Sequence, residues 1–343
     1  ANDGTQDDGF GNAVAIDGDT AVVGASLDDV GAAADQGSVY VFNRVAGVDA
    51  RFASGRLFAE GFAARVFDGS HRADASSLYA RGGYEADRYA AIYRYLDAGE
   101  AFEPGLGFVR RPGDTQHRFE GRFSPRSRGS LIRRYGVEPT WNYIVDGAGR
   151  LATREIVGSV FAEFESGDRV TLDLTDTREA IDTPFRLRSD VTIAEGVYDT
   201  RQWKLELETF RRRQWRGTLS FQQGGFWNGD RKTLSATPAW RFSRHVGVSL
   251  RYSANWIDVP QKTYTTHLAS GRLDVAFTTK LVLLSLLQYN SDTKQFAKNI
   301  RFNWIPKQGT DVFLVYNDTD QTRLTPGARD RSLTFKIAYR FAL

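Results

Sequence analysis

The chain has 343 residues, of which 41% are hydrophobic and 13% aromatic, and it carries a formal net charge of +3 with no cysteine. The lack of cysteine excludes a disulfide framework and a thiolate metal site, and so small a net charge, with no basic cluster joined to a known motif, gives no support for nucleic-acid binding. The longest apolar run, Leu281 to Leu287, is far shorter than the ~18–20 residues of a membrane-spanning helix.

Residues 1–45 form the first predicted segment. It contains Phe10-Gly11, Gly24-Ala25 and the closing run Gly37 to Phe42, and these stretches resemble a single FG-GAP repeat, the blade unit of integrin-like propellers. One blade cannot bury its own faces. Three interpretations therefore stay open: other blades lay upstream, the segment packs against the following domain and plugs it, or its strands join that domain's sheet.

The resemblance to FG-GAP repeats also raises the question of calcium. The available acids depart from an Asp-x-Asp-x-Asp-Gly spacing, and a hard cation needs six or more oxygen ligands. We therefore interpret Asp17, Asp19, Asp28 and Asp29 as solvated turn residues. We predict no metal and no cofactor. Because the chain begins with neither Met nor a signal peptide, we interpret it as a processed or truncated product.

Residues 46–343 form the second predicted domain, in which alternating segments of roughly ten residues recur between turn residues. In one segment Trp203, Leu205 and Leu207 alternate with Lys204, Glu206 and Glu208. Successive side chains of a strand point to opposite faces, so each segment predicts a strand with one apolar and one polar face. Helical periodicity with caps is nearly absent, and short turns between strands predict antiparallel hairpins.

The closing segment has the longest alternation. One parity is apolar and is predicted to face lipid, namely Leu333, Phe335, Ile337, Tyr339 and Phe341, with Leu343 in register at the end. Soluble sandwich strands are about five or six residues long, whereas a tilted strand needs ~9–11 residues to cross a bilayer. At about 18 residues per strand and turn, we predict an all-β, transmembrane, antiparallel up-and-down β-barrel of about 16 strands, with 14 to 18 as the range. A soluble sandwich or propeller is the alternative.

A second resemblance covers residues 75–343. This part is similar to the C-terminal barrel of an uncharacterised bacterial outer-membrane family whose members usually carry a carbohydrate-binding-like sandwich ahead of it. The resemblance implies an outer-membrane barrel and no established chemistry. The matching stretches are Phe102 to Arg111, Glu165 to Val170, Gly224 to Arg231, Leu286 to Lys294 and Ile300 to Asp318.

Polar residues of this domain give two groups of candidate site residues. The predicted lumen lining mixes both charge signs, which argues against strong ion selectivity; it consists of Asp173, Lys204, Glu206, Glu208, Lys336 and Arg340. Arginine pairs and triplets between strands are candidates for the rim, where they would bind anions or lipopolysaccharide phosphates or simply solvate the loops. These are Arg110, Arg111, Arg133, Arg134, Arg211, Arg212 and Arg213.

Catalytic patterns are weak. The four histidines show no metal-ligand spacing, and His245, beside Ser243 and Arg244 at a predicted strand start, is interpreted as a rim histidine in a polar turn. The leading hypothesis is a channel or uptake component for polar solutes in the outer membrane of a Gram-negative-type bacterium. The alternatives are a plugged scaffold barrel that anchors a surface module, and a hydrolase with a rim site near His245 or His267. Expected partners are outer-membrane lipid and lipopolysaccharide, the barrel-assembly machinery and other envelope or surface proteins, but not nucleic acid.

Overall fold

A computed structural model describes residues 10–17, 20–25, 38–67, 74–103, 109–307, 309–321 and 329–339. Every regular element in these ranges is a β-strand, and they contain no helix able to span a membrane. The strands are β1 (Phe10–Asp17), β2 (Thr20–Ala25), β3 (Ser38–Ser54), β4 (Leu57–Phe67), β5 (Ser76–Glu85), β6 (Tyr89–Ala98), β7 (Thr115–Phe123), β8 (Ile132–Val145), β9 (Leu151–Phe164), β10 (Arg169–Ile181), β11 (Phe185–Arg188), β12 (Val191–Ile193), β13 (Gly196–Glu208), β14 (Trp215–Arg216), β15 (Thr218–Phe226), β16 (Gly229–Ala236), β17 (Ala239–Arg241), β18 (Val246–Val259), β19 (Lys262–Thr278), β20 (Leu281–Asn290), β21 (Gln295–Lys307), β22 (Thr310–Gln321) and β23 (Arg329–Tyr339).

The prediction of an all-β, antiparallel, up-and-down architecture is confirmed. Twenty-one strands form one sheet, and β11 and β12 form a separate two-stranded sheet. The sheet has 21 strands rather than about 16, because it includes β1 and β2 from the first 45 residues and the very short β14 and β17. Within the described ranges the sheet is not closed into a barrel.

The strand β3 runs through the predicted domain boundary between residues 45 and 46. Ser38 to Asn43 pair with β2, and Arg44 to Ser54 pair with β4. The change of partner therefore falls between Asn43 and Arg44. The segment that resembles an FG-GAP repeat thus leads into the large sheet through one continuous strand.

The chain divides into two compact units. Unit 1 comprises Ala1–Phe123 and Pro139–Ile156, and unit 2 comprises Ser124–Glu138 and Val157–Leu343. Among the residues whose side-chain burial the structure describes, each unit has few buried apolar side chains. In unit 1 they gather around Val66, Ala75 and Phe102, and in unit 2 around Val191, Ile257 and Val259.

In each unit the sheet has one apolar and one polar face. Directly paired residues of antiparallel strands project from the same face, so the pairing register shows which side chains share a face. In unit 2, Leu205 pairs with Leu172 and with Phe221 on the apolar face. The neighbouring residues Lys204 and Asp173 pair on the polar face. In unit 1, Phe52, Tyr93 and Phe119 share the apolar face with Val48 and Leu78, while the polar face carries Glu60, Arg81, Arg94 and Arg118.

Candidate functional site

The apolar face of unit 2 is the exposed one. In the closing strand the exposed fractions are 68% for Leu333, 63% for Phe335, 58% for Ile337 and 51% for Tyr339. The cross-strand partners of the first three are Tyr316, Leu314 and Val312, so the apolar stripe continues onto β22. The structure thus places four of the five predicted lipid-facing residues on one exposed face, and Phe341 lies outside the described residues.

Aromatic rings lie near both ends of this apolar face. The Asp168 end is defined by the turn at residues 165–168 before β10, and the Asp190 end is the opposite one. The rings towards the Asp168 end include those of Trp215, Trp240, Phe242, Phe277, Trp304 and Tyr339, and those towards the Asp190 end include those of Trp256 and Tyr289. Leucine, isoleucine, valine and phenylalanine predominate between them, for example Leu205, Phe221, Leu250, Ile300 and Leu314.

Charged pairs follow the apolar residues towards the Asp190 end of the same face. Arg201 contacts Asp176 at 3.0 Å and Arg178 contacts Asp199 at 3.2 Å, just past Leu174 and Trp203. On β22, Tyr316 is followed by Asp318, which is 2% exposed. Asp318 Oδ1 accepts a hydrogen bond from Arg329 Nε at 2.6 Å, and Oδ2 accepts one from Lys298 Nζ at 3.1 Å.

The polar face of unit 2 brings four predicted lumen residues together. Asp173 and Lys204 are direct cross-strand partners. Lys204 Nζ lies 2.6 Å from Glu206 Oε2, and Ser159 Oγ donates to Asp173 Oδ1 at 2.6 Å. Glu208 follows on the same face and accepts a hydrogen bond from Arg211. Lys336 has polar parity on β23 and is exposed, while Arg340 lies outside the described residues.

A hairpin made of β11 and β12 lies over this polar face at the Asp190 end, and the sequence reasoning missed it. Its Val191 and Ile193 are 1% and 0% exposed. Val191 packs in a cluster with Ile257 and Val259, and Phe226 and Tyr264 contact that cluster. All four of these sheet residues have the polar-face parity of their strands. The sequence signal is the alternation of Phe185 and Leu187, then Val191 and Ile193, around a Ser-Asp turn.

Arg188 holds the hairpin in place. Its guanidinium contacts Asp190 at 3.0 Å and Asp292 at 3.3 Å, and it lies over the Tyr264 ring at 4.8 Å. Lys262 Nζ also reaches Asp190 Oδ2, at 2.6 Å. This hydrogen bond lowers the pKa of Asp190 below its ordinary value; desolvation opposes the shift, and the charge of Arg188 adds to it.

The tight turn between β15 and β16 supports the same hairpin. Trp227 has φ of 51°, a left-handed conformation that a bulky residue rarely adopts. Its ring packs edge-on against Phe185 at 5.3 Å between centroids, and its Nε1 donates to Glu179 at 3.2 Å. The turn thus places an aromatic side chain of the sheet beneath β11.

The predicted rim arginines are mostly neutralised by neighbouring acids. Arg133 and Arg134 contact Glu163, Arg211 contacts Glu208, and Arg213 contacts Asp168 at 2.8 Å. These groups all lie at the Asp168 end of unit 2. In unit 1, Arg111 contacts Thr153 and Asp114, and Arg110 is exposed. Arg212 of unit 2 is also exposed. The structure therefore does not gather the rim candidates into one free cationic patch.

Four arginines on the polar face of unit 1 were not among the predicted candidates. Arg51 pairs across the sheet with Glu60, Glu60 with Arg81, Arg81 with Arg94 and Arg94 with Arg118. We call Arg51, Arg81, Arg94 and Arg118 the arginine row. In the sequence, three of them stand next to aromatic or glycine residues in successive strands. Only the pairing register between the strands shows that they lie side by side.

The histidine candidates are engaged in structural contacts. Ser243 Oγ accepts the backbone N–H groups of His245 and Val246. The His245 ring contacts Arg244 and the Ala276 carbonyl, and His267 contacts the Tyr252 hydroxyl. Both histidines meet a serine hydroxyl only through their backbone N–H groups, and among the described residues neither imidazole ring is hydrogen-bonded to a serine hydroxyl. No cluster of three or more His, Asp or Glu with the geometry of a metal site occurs among the described residues.

Comparison with known proteins gives one result. The family model for the FG-GAP repeat matches residues 1–42, in agreement with the resemblance found in the sequence. No curated protein matches the chain. The matched part is similar to an FG-GAP repeat. It includes β1, β2 and the start of β3, and the match does not extend to the later strands.

Proposed function

We propose that this chain is an outer-membrane β-barrel protein that acts as a channel or uptake component for polar solutes. One observation carries the proposal: apolar side chains are exposed on one face, while charged side chains of the other face are half-buried. On β13 Trp203, Leu205 and Leu207 are 39%, 39% and 42% exposed, whereas the side chains of Lys204 and Glu206 on the same strand are 35% and 31% exposed. In water such an apolar face would be an aggregation hazard, but against lipid it is the expected outer surface.

The dimensions of the apolar face support a membrane location. Phe242 pairs with Val246 at one end of β18, and Trp256 lies ten residues further along the same strand. Ten residues of strand cover about 33 Å, and a tilt of about 40° reduces this to about 25 Å, the height of the apolar band of outer-membrane barrels. Aromatic girdles on both sides of such a band are likewise typical.

Insertion requires that the sheet edges be paired. An unpaired backbone group costs several kcal/mol in hydrocarbon, so lipid-exposed sheet edges do not occur. The closing strand β23 pairs with β22 along 11 residues, which leaves its other edge to be satisfied in the membrane. We therefore include closure of the sheet in the proposal. Amide hydrogen exchange of β23 in lipid vesicles tests it: slow exchange on both edges supports closure, and fast exchange on the outer edge contradicts it.

Conductance of the purified chain in planar lipid bilayers tests the channel. The polar face, with the Lys204–Glu206 ion pair and Asp173 beside it, would line the pore, so we expect steady openings. Complete absence of openings from protein that is correctly inserted, as judged by protection of β23, would contradict a channel. The lipid, the barrel-assembly machinery and other envelope proteins would be the partners of such a protein.

A plugged scaffold is the second candidate, and the hairpin of β11 and β12 favours it. The hairpin packs Val191 against the polar-face residues Ile257 and Val259, so it would narrow a lumen at the Asp190 end. A scaffold would show no steady conductance even after this hairpin is shortened, whereas an obstructed channel would gain conductance. For the third candidate, a hydrolase, replacement of His245 or His267 by Ala would abolish any hydrolytic activity of the inserted protein.

A further inference from the structure

The arginine row of unit 1 has more positive charge than its neighbours neutralise. Arg81 Nη1 contacts Glu60 Oε1 at 3.1 Å, and Arg51 Nε lies 3.8 Å from Glu60 Oε2. Arg118 Nε contacts Glu120 Oε1 at 2.6 Å. Two glutamates thus face four arginines, which leaves an excess of two positive charges in this group.

Arg94 is the central member of this group. It lies between Arg81 and Arg118 in the sheet, and adjacent strands are only about 4.8 Å apart. Like charges directly opposite each other destabilise a sheet, so the arrangement has a cost in folding stability. The Nε atoms of Arg94 and Arg81 are also buried without a hydrogen-bond partner in the part of the chain that the structure describes.

Arg122, on the same face, also has a buried Nε without a hydrogen-bond partner among the described residues, but its charge is balanced. It is held by Glu85 at 3.8 Å and by the Ala86 carbonyl, so it adds no free charge. The Arg81 guanidinium lies over the Phe58 ring at 4.8 Å, which fixes its plane. A positively charged group with buried, unpaired N–H donors and oriented guanidinium planes is suited to an oxyanion, because arginine binds carboxylate and phosphate through paired hydrogen bonds.

We propose that Arg81, Arg94 and Arg118 form a binding site for oxyanion groups, phosphate or carboxylate, of small polar solutes. The site lies on the polar face and deepens the proposed function, since in a channel it would give anion preference. This differs from the weak selectivity predicted from the mixed charges of Asp173, Lys204 and Glu206, which lie in unit 2. The binding step itself does not depend on whether the lumen is open.

Calorimetric titration of the full chain in detergent micelles, at constant ionic strength, tests the site with inorganic phosphate and with acetate. We expect both to bind and glucose not to bind. Arg94→Gln should weaken phosphate binding roughly tenfold, which is the effect of losing one or two charge-assisted hydrogen bonds. Arg94→Lys, which keeps the charge but loses the fork, should weaken it less than Arg94→Gln.

Arg65→Gln is the matched control. Arg65 lies on β4 in the same unit, has the parity of the apolar face and is exposed, so its loss removes one charge but should leave phosphate affinity unchanged. Equal affinity of wild type and Arg94→Gln, or equal weakening by Arg65→Gln, overturns the proposal. Arg118→Gln serves the same purpose if Arg94→Gln does not fold.

Bilayer recordings separate this inference from the proposed function. Phosphate binding without conductance contradicts the channel but supports the site. Conductance without phosphate binding, and with a reversal potential that Arg94→Gln does not change, supports the channel but overturns the site.

Discussion

Asp168 organises the turn region at one end of unit 2. Its carboxylate accepts hydrogen bonds from Ser166 Oγ at 2.7 Å and the Phe210 N–H at 3.0 Å, and it contacts Arg213 at 2.8 Å. Partial burial raises the pKa of Asp168, but these hydrogen bonds and the charge of Arg213 outweigh that effect, so the pKa lies below its ordinary value. The stabilisation is therefore present above the unfolded-state pKa and is lost as pH falls through the folded-state pKa.

We expect Asp168→Asn to lower the free energy of unfolding at pH 7 by about 1 kcal/mol, since the group is partly exposed and screened. At an acidic pH below the ordinary aspartate range, the difference from wild type should shrink as the wild-type carboxylate becomes protonated. Urea unfolding of micelle-embedded protein at both pH values measures this. Asp182→Asn, an exposed acid in the connection after β10, is the control, and the same pH-dependent loss in both variants would contradict the assignment.

At the scale of elements, the hairpin of β11 and β12 depends on Arg188. We expect Arg188→Ala to weaken its docking by roughly 3 kcal/mol, because two acids and the Tyr264 ring lose a largely buried partner. Limited proteolysis and hydrogen exchange over residues 185–193 should then increase, and the conductance of inserted protein should rise. Arg186→Ala, on the exposed side of the same hairpin, should change neither measurement.

Acidification should act on the same element. Lys262 lowers the pKa of Asp190. The contacts of the ionised Asp190 carboxylate therefore stabilise the hairpin above the ordinary aspartate pKa, and this stabilisation is lost as pH falls through the folded-state pKa. We therefore expect exchange over residues 185–193 to accelerate below about pH 4. Lys262→Ala should reduce this acceleration at low pH, because only the contact of Asp190 with Arg188 remains, and should raise exchange at neutral pH. An unchanged pH response in Lys262→Ala would contradict this role for Asp190.

Individual strands show which features of the fold could be predicted from the sequence and which could not. Alternation along single strands predicts the two faces of β10, β13 and β23, because side-chain parity is a local property. Register between strands is not local. Arg81 and Arg94 meet through a short turn, but Arg118 joins them only after a long connection, so no spacing in the sequence indicates the row. The hairpin of β11 and β12 was missed for a related reason: its short strands are stabilised by distant residues such as Ile257 and Tyr264.

For the whole molecule, the central question is what covers the apolar face. Leu314 lies in the middle of this face, between Phe302 and Phe335 in the register, and is 41% exposed. Asn303 is the cross-strand partner of Phe313, so it has the opposite parity and lies on the polar face. The two positions therefore report on the two faces at nearly the same level of the sheet.

If lipid covers the apolar face, Leu314→Arg should destabilise the vesicle-inserted protein by about 2–4 kcal/mol, the cost of an arginine facing the bilayer centre. Asn303→Arg should cost less, because this position is on the polar face and would not meet lipid acyl chains. If water covered the apolar face instead, position 314 would be exposed to solvent. The free energy of unfolding of Leu314→Arg would then stay within about 0.5 kcal/mol of wild type. Urea unfolding from phospholipid vesicles compares the pair, and a small effect at Leu314 would remove the basis for a membrane location and, with it, for transport.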